Sequence, residues 1–511
     1  MPIGPPVEPT PLRDSEPEHP LVQQPPQGPT EQAVRSGAGR LPLATFSARR
    51  DLFARLLDAD FMLPVFQREL SGASAAPIRV VGCSIKPAKT VSSRKSIRDQ
   101  RMRLVYRLDI ELEGGTRREL VVCGTAPVAT DFPGPEMEQR CQGLRDHPLA
   151  APFRRLAIWV GSLDLGLLLF PVDPGLPALA EVTGPEAARL FAPHLPECQA
   201  GARIEAIECE LRHYKPGERA VLKVRSTLRT GTNTTQRTIY AKVFSDQHGA
   251  VSHAELQALS AAARRSDDLR IPEPLGYDPD RRMLVMAEVP GGRDLSQWIH
   301  CVENEQPLPP GVDLQRLERC LLAAARALSA LQRSGVEPSS RRTFQNALAP
   351  LQKDCALLRG DANAPQSPLV ARALAVVQRL ESLTPLEECL VPSHGGCRHK
   401  QTIGDEHGLA FIDWDGFCLA DPALDAATFL ARLRQEPVTT GRGMELERLA
   451  ESFRRTFCSL SPEAARHLAL YEGLTLAEQM LRSFRRTSRD GAMAGTIERL
   501  ASAAEERLAR C

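Results

Sequence analysis

Two short segments hold most of the residues able to do chemistry, His394–Gln401 (HGGCRHKQ) and Phe411–Asp425 (FIDWDGFCLADPALD). In the second, Asp413 and Asp415 follow the apolar residues Leu409, Phe411 and Ile412, a pattern that reads as a buried strand ending in a loop. A carboxylate held on such a loop suits Mg2+, which prefers hard oxygen ligands. A third point is Lys242, flanked by Ala241 and Val243 in a strand-like run from Ile239 to Phe244. Alternation with apolar neighbours puts its ammonium either on a solvated strand face or in a cleft. The 13 cysteines are scattered from Cys83 to Cys511 without a CxxC pair, and no histidines cluster at metal-ligand spacing, which argues against a zinc site. An odd number of dispersed cysteines reads as reduced thiols of a cytoplasmic protein.

In their order along the chain these segments resemble the catalytic and metal-binding loops of the aminoglycoside phosphotransferase and choline kinase superfamily, a protein-kinase-like fold. That family carries HGD, four residues and then Asn, followed by IDW or IDF and a DPxxD stretch. Here His394 and Gly395 match, as do Ile412, Asp413 and Trp414, and Asp421, Pro422 and Asp425. The resemblance spans roughly residues 203–484 and implies ATP and Mg2+ as cofactors. Lys242 would reach the phosphates, with Glu255 as its helix partner, Asp413 would hold the metal, and Gln401 would stand in for the family's asparagine. His394, Asp421 and Asp425 would brace the loops. Gly396 replaces the family's catalytic-base aspartate, and general-base assistance is worth about 100- to 10,000-fold in rate. Asp415 is a substitute for that base, or else a loop carboxylate accepting backbone N–H bonds. Glu255 likewise has a second reading, as the acidic end of a capping box, Ser252-His253-Ala254-Glu255. His213–Arg219 resembles a turn of the family's nucleotide lobe, Pro290-Gly291-Gly292 its hinge, and Leu328–Val336 the helix end usually reading LHxxG, with Gln332 in place of histidine. The implied activity is phosphoryl transfer to a hydroxyl of a small-molecule acceptor, such as a sugar, aminoglycoside or amino alcohol. The alternative is a catalytically inactive kinase-like module that binds nucleotide or metabolite.

The elements that must position these residues follow from patterning. With 511 residues, 42% hydrophobic and 25% charged, the chain can bury more than one core. Ten prolines in the first thirty positions, without apolar periodicity, make residues 1–42 a disordered tail. Residues 43–197 form an accessory region, with Ser47 capping a first helix and strands at Ile78–Ile85, Met102–Leu112 and Leu120–Cys123. The apolar stretch Leu156–Val172 is short for a bilayer span and reads as a strand pair. Residues 198–293 form an antiparallel β lobe whose pattern loosely repeats that of the accessory region. Residues 294–511 form a helical lobe, with a 3.6-residue apolar period from Leu314 to Leu331. The expected class is therefore α+β, two-lobed, with a cleft between the lobes. A net charge of +1 excludes bulk attraction to nucleic acid or an anionic membrane. Arg482, Arg485, Arg486 and Arg489 form one basic helix face, expected to be solvated.

Overall fold

Alternation of apolar and charged residues builds two antiparallel sheets in the N-terminal half. The first holds β1 (Ile78–Ile85), β2 (Met102–Leu112), β3 (Arg117–Ala126), β4 (Ala157–Val160) and β5 (Leu165–Leu169) in the order β1-β2-β3-β5-β4. The second holds β6 (Arg203–Lys215), β7 (Arg219–Thr230), β8 (Asn233–Phe244), β9 (Pro274–Asp278) and β10 (Met283–Ala287) in the order β6-β7-β8-β10-β9. The two orders are the same, and each sheet places a helix between its third and fourth strands. The loose sequence repeat is thus a repeat of topology. The structure is a computed structural model and describes residues 50–85, 102–127, 132–289, 295–359, 367–383, 385, 389–405, 408–440, 443–486 and 492–511. The proline-rich tail, Ser47, Pro290–Gly292 and Arg489 lie outside the described residues, as do the side chains of Arg485 and Arg486.

Both faces of the first sheet are covered, for a reason visible in the two-residue period. Leu104, Tyr106, Leu108 and Ile110 point to one side and pack on α1 (Arg50–Leu56) and α2 (Ala59–Ala73) through Phe53, Met62, Phe66 and Leu70. Val105, Val121 and Cys123 point to the other side, against Leu222, Val224, Ile239, Ala241 and Val243 of the second sheet. Each such fully buried aliphatic or aromatic side chain contributes about 1.5–3 kcal/mol. The accessory region therefore lies on the back of the second sheet. The opposite face, carrying Lys242, is left for the helical lobe.

α3 (Pro135–Gly143) and α4 (His248–Ala263) are the helices inserted in the two sheets. α4 begins earlier than the expected cap at Ser252, which sits in its second turn as a buried residue. A capping box needs its serine in non-helical backbone at the helix start, so that reading of Ser252 and Glu255 is overturned. The Thr-, Gly- and Asn-rich stretch between β7 and β8 is a tight turn, with Gly231 at φ 60 linking strands that pair from Arg219 to Thr230.

The C-terminal lobe contains α5 (Leu295–Glu303), α6 (Leu314–Gln332), α7 (Phe344–Arg359), α8 (Pro368–Ser382), α9 (Ala423–Leu433), α10 (Met444–Leu460), α11 (Pro462–Arg486) and α12 (Ala492–Leu508). Asp313 caps α6 by accepting from Arg316 N–H at 2.7 Å. Leu317, Leu321, Ala324, Leu328 and Leu331 form its buried stripe. At the cleft, β11 (Arg341–Arg342) pairs in parallel with β15 (Cys418–Ala420), which pairs in antiparallel with β12 (Val391–Ser393). The hairpin of β13 (Thr402–Asp405) and β14 (Gly408–Phe411) lies beside them. The architecture is α+β, with an antiparallel β lobe and a helical lobe. No helix among the described residues is long and apolar enough to cross a membrane.

Candidate active site between the lobes

Lys242 points away from Ala241 and Val243, toward the helical lobe, and is only 5% exposed. Its Nζ donates to Asp413 Oδ1 at 3.0 Å and to Asp415 Oδ1. Asp415 Oδ2 accepts from Arg219, at the start of β7. Two cations of the β lobe therefore face two carboxylates of the helical lobe, across sequence separations of 171 to 196 residues. Burial alone would raise the Asp413 carboxyl pKa, but the Lys242 and Arg219 charges and the Lys242 hydrogen bond hold it well below the usual range. Asp413 sits at φ 65, a left-handed conformation tolerated by aspartate, where the chain leaves β14.

Glycine is required beneath these carboxylates. Gly395 has φ 84, and a Cβ there would lie 1.8 Å from Gly416 O, so the two loops touch through backbone. Asp425, at the start of α9, accepts from His394 N (2.6 Å), Gly396 N (2.7 Å) and Cys397 N (3.1 Å). This carboxylate fixes the loop from below. His394 packs on Phe411 and Trp414, and its Nε2 meets Ile412 O at 2.9 Å. Asp421 Oδ1 accepts from Ala423 N, and its Oδ2 meets His467 Nδ1 at 2.6 Å, tying α9 to α11. Gln332 adds a strut from α6, donating to Pro422 O at 2.7 Å.

Other expected partners are arranged differently. Asp415, expected either as a substitute base or as a carboxylate accepting backbone N–H bonds, is held by the cations Lys242 and Arg219. Glu255 accepts from Ser339 N (2.8 Å) and Ser339 Oγ (2.7 Å), joining α4 to the helical lobe, while Lys242 takes Asp413 and Asp415. Gln401 turns its amide nitrogen toward Asp413 Oδ2 at 3.3 Å, and its oxygen accepts from Arg398 N. Asp413 and Asp415 are a hard-oxygen donor pair of the kind a divalent cation takes, with the Lys242 ammonium between them. Among the described residues no group of three or more His, Cys, Asp or Glu side chains is placed to hold a metal.

The turn between β6 and β7, near Arg219, is fastened from the accessory region. Asp173 is buried; its Oδ2 accepts from Tyr214 OH and Gly217 N, each at 2.8 Å, and its Oδ1 accepts from Gly175 N at 2.8 Å. Arg103 Nη1 donates to Pro216 O at 3.1 Å. A Cβ at Gly175 would approach Gly217 Cα to 2.5 Å, so the two segments meet this closely only because residue 175 is glycine. Nothing in the sequence near Asp173 signals this, since Tyr214 and Gly217 lie more than 40 residues onward. Arg219 was legible only as the end of a turn.

Residues 225–466 match the family model described as a phosphotransferase enzyme family. No curated protein is detectably similar in sequence. Among solved structures, a choline/ethanolamine kinase family protein from Mesorhizobium loti aligns at 15% identity over 63% of this chain and 97% of its own, with a TM-score of 0.39. Choline kinase from Cryptosporidium parvum aligns at 11% identity over 63% and 93%, with a TM-score of 0.41. A glucosamine kinase aligns at 12% identity over 85% of this chain and 95% of its own, with a TM-score of 0.37.

Proposed function

We propose that this chain, whose residues 225–466 carry the phosphotransferase-family pattern, is an ATP-dependent phosphotransferase that acts on a hydroxyl of a small molecule. The observation that carries the reading is the convergence of Lys242 from the β lobe on Asp413 and Asp415 from the helical lobe. Phosphoryl transfer is catalysed mainly by positioning and by stabilising charge on the transferred group. Lys242 supplies a buried cation for nucleotide phosphates, and Arg219 supplies another beside the β6–β7 turn. Asp413 holds Mg2+, with Asp415 beside it; the ion neutralises phosphate charge when bound. Gln401 assists through its amide oxygen once that oxygen is released from Arg398. Asp425, Asp421 and His394 keep the loop in shape. Asp415 takes over the role of the missing base.

A second reading, a kinase-like protein without turnover, is favoured by one specific feature. Gly396 has no proton acceptor, and its φ of 131 is one that a side chain rarely adopts. Thermal-shift titration with ATP, with and without Mg2+, tests the nucleotide site, because a ligand that binds only the folded state raises the melting midpoint. A Mg2+-dependent rise followed by ADP release with a hydroxyl acceptor supports the enzyme. A rise without ADP release across sugars and amino alcohols supports the second reading. No rise up to millimolar ATP refutes the enzyme and favours a kinase-like protein that has lost the nucleotide.

A further inference from the structure

Arg219 is the cation of the site whose place depends on a distant part of the chain. Its guanidinium bonds Asp415, and its Nε is buried without a hydrogen-bond partner, which leaves a donor for an oxyanion. In the β7–β8 pairing Arg219 lies opposite Phe244 and Val221 lies opposite Lys242, so Arg219 and Lys242 are diagonal neighbours on the cleft face. Two cations so placed suit a chain of phosphates.

The turn that precedes Arg219 is held from outside its own sheet. Gly217 stands at φ 70, and within the turn Glu218 N donates to Lys215 O at 3.0 Å. Further bonds to the turn come from the accessory region. Asp173, 7% exposed and shortly past β5, accepts from Gly217 N, Tyr214 OH and Gly175 N. Tyr214 is set edge-on to Phe170, with ring centroids 5.7 Å apart. Arg103 of β2 reaches Pro216 O at 3.1 Å from the face it shares with Val105, which packs on the second sheet. A buried carboxylate stripped of its donors is costly, so the turn cannot shift without breaking these bonds or carrying Asp173 with it. Arg219 follows Gly217 by two residues and moves with the turn.

We propose that the accessory region is part of the phosphate-binding site, with Asp173 and Arg103 as positioning residues that set Arg219 through the β6–β7 turn; the proposal rests on the phosphotransferase reading. Arginine binds an oxyanion well only when its planar donors are aimed, so a turn fixed in place raises the affinity that Arg219 gives the nucleotide. Neither Asp173 nor Arg103 touches the nucleotide; both act through Arg219.

The test is a double-mutant cycle on the full chain, with Mg-ATP binding measured by calorimetry below the melting midpoint of every variant. Asp173→Asn and Arg219→Met should each weaken Mg-ATP by at least about fivefold, and the double variant should bind within about twofold of Arg219→Met alone. Arg103→Met leaves the Asp173 carboxylate with its three donors and keeps the test open where Asp173→Asn fails to fold; it should weaken Mg-ATP by at least about threefold, and only while Arg219 is present. A merely structural tether would lower the melting midpoint with Mg-ATP affinity unchanged, or would weaken binding by the same factor with and without Arg219, and either result overturns the proposal. No Mg-ATP binding by the unaltered protein would instead overturn the phosphotransferase reading. The tether is then judged from the same cycle in the melting midpoint, where a smaller effect of Asp173→Asn once Arg219 is gone supports the positioning of Arg219 and strictly additive effects refute it.

Discussion

Replacing Lys242 with methionine keeps the apolar stem and removes the ammonium that joins the lobes. Breaking a fully buried ion pair from one side costs about 3–5 kcal/mol, because the remaining charge is stranded. Here the cost is smaller. Asp413 keeps 38% of its side-chain surface and can be resolvated, and Asp415, at 16%, retains Arg219. The expected loss at neutral pH is about 2 kcal/mol, a fall of several degrees in the thermal midpoint. The pH dependence has a definite sign. The Asp413 carboxyl is depressed in the folded state from a reference value of 3.8, so its contribution is complete above that value and fades as pH falls toward the folded one. The gap between the two proteins should therefore be full at pH 7 and narrow from about pH 4 downward. Urea unfolding of both proteins across that range is the assay. Equal stability at neutral pH would mean that the bridge does not form in solution, and a gap undiminished in acid would mean that Asp413 is not the group responsible.

Four further perturbations separate the roles of individual residues. Asp425→Asn presents an amide nitrogen to backbone N–H donors and should cost about 2–4 kcal/mol in urea unfolding, with the loop around Gly396 becoming susceptible to proteolysis. Asp173→Asn weakens the bonds to Tyr214 and Gly217; a fall of about 1–3 kcal/mol is expected, measured by thermal melting, with a weaker Kd for Mg-ATP because the β6–β7 turn loses its anchor. Glu255→Gln should leave ATP affinity within about twofold and cost under about 1 kcal/mol, since its partner is Ser339; a large loss of ATP binding by calorimetry would show that it turns to Lys242 when nucleotide is present. Gly396→Asp forces a side chain into left-handed backbone and should lower the melting midpoint, at a cost of about 1–3 kcal/mol.

Much of the fold was legible because periodicity is a local property. The strands at Ile78–Ile85 and Met102–Leu112 and the apolar stripe of α6 could be read from side-chain alternation or 3.6-residue spacing. The start of α4 was misjudged because Ser252 and Glu255 have the spacing of a capping box, whereas in the fold Ser252 packs inside the helix and Glu255 bonds to Ser339. The candidate site was legible as motifs because HG, IDW and DPxxD each occupy a short loop whose backbone constraints recur.

What residue types settle for this chain is that Asp413 and Asp415 end a buried strand, that Lys242 sits in a strand opposite apolar neighbours, and that position 396 has no carboxylate. Partner choice was left to the tertiary structure. Lys242 meets two aspartates more than 170 residues away, Asp173 reaches from the accessory region to fasten the turn beside Arg219, and Gln401 presents nitrogen rather than oxygen to Asp413. Such pairings depend on how two sheets and a helical lobe stack. Stacking is fixed by the sum of many buried apolar contacts and leaves no signature beside any one of the polar residues it brings together.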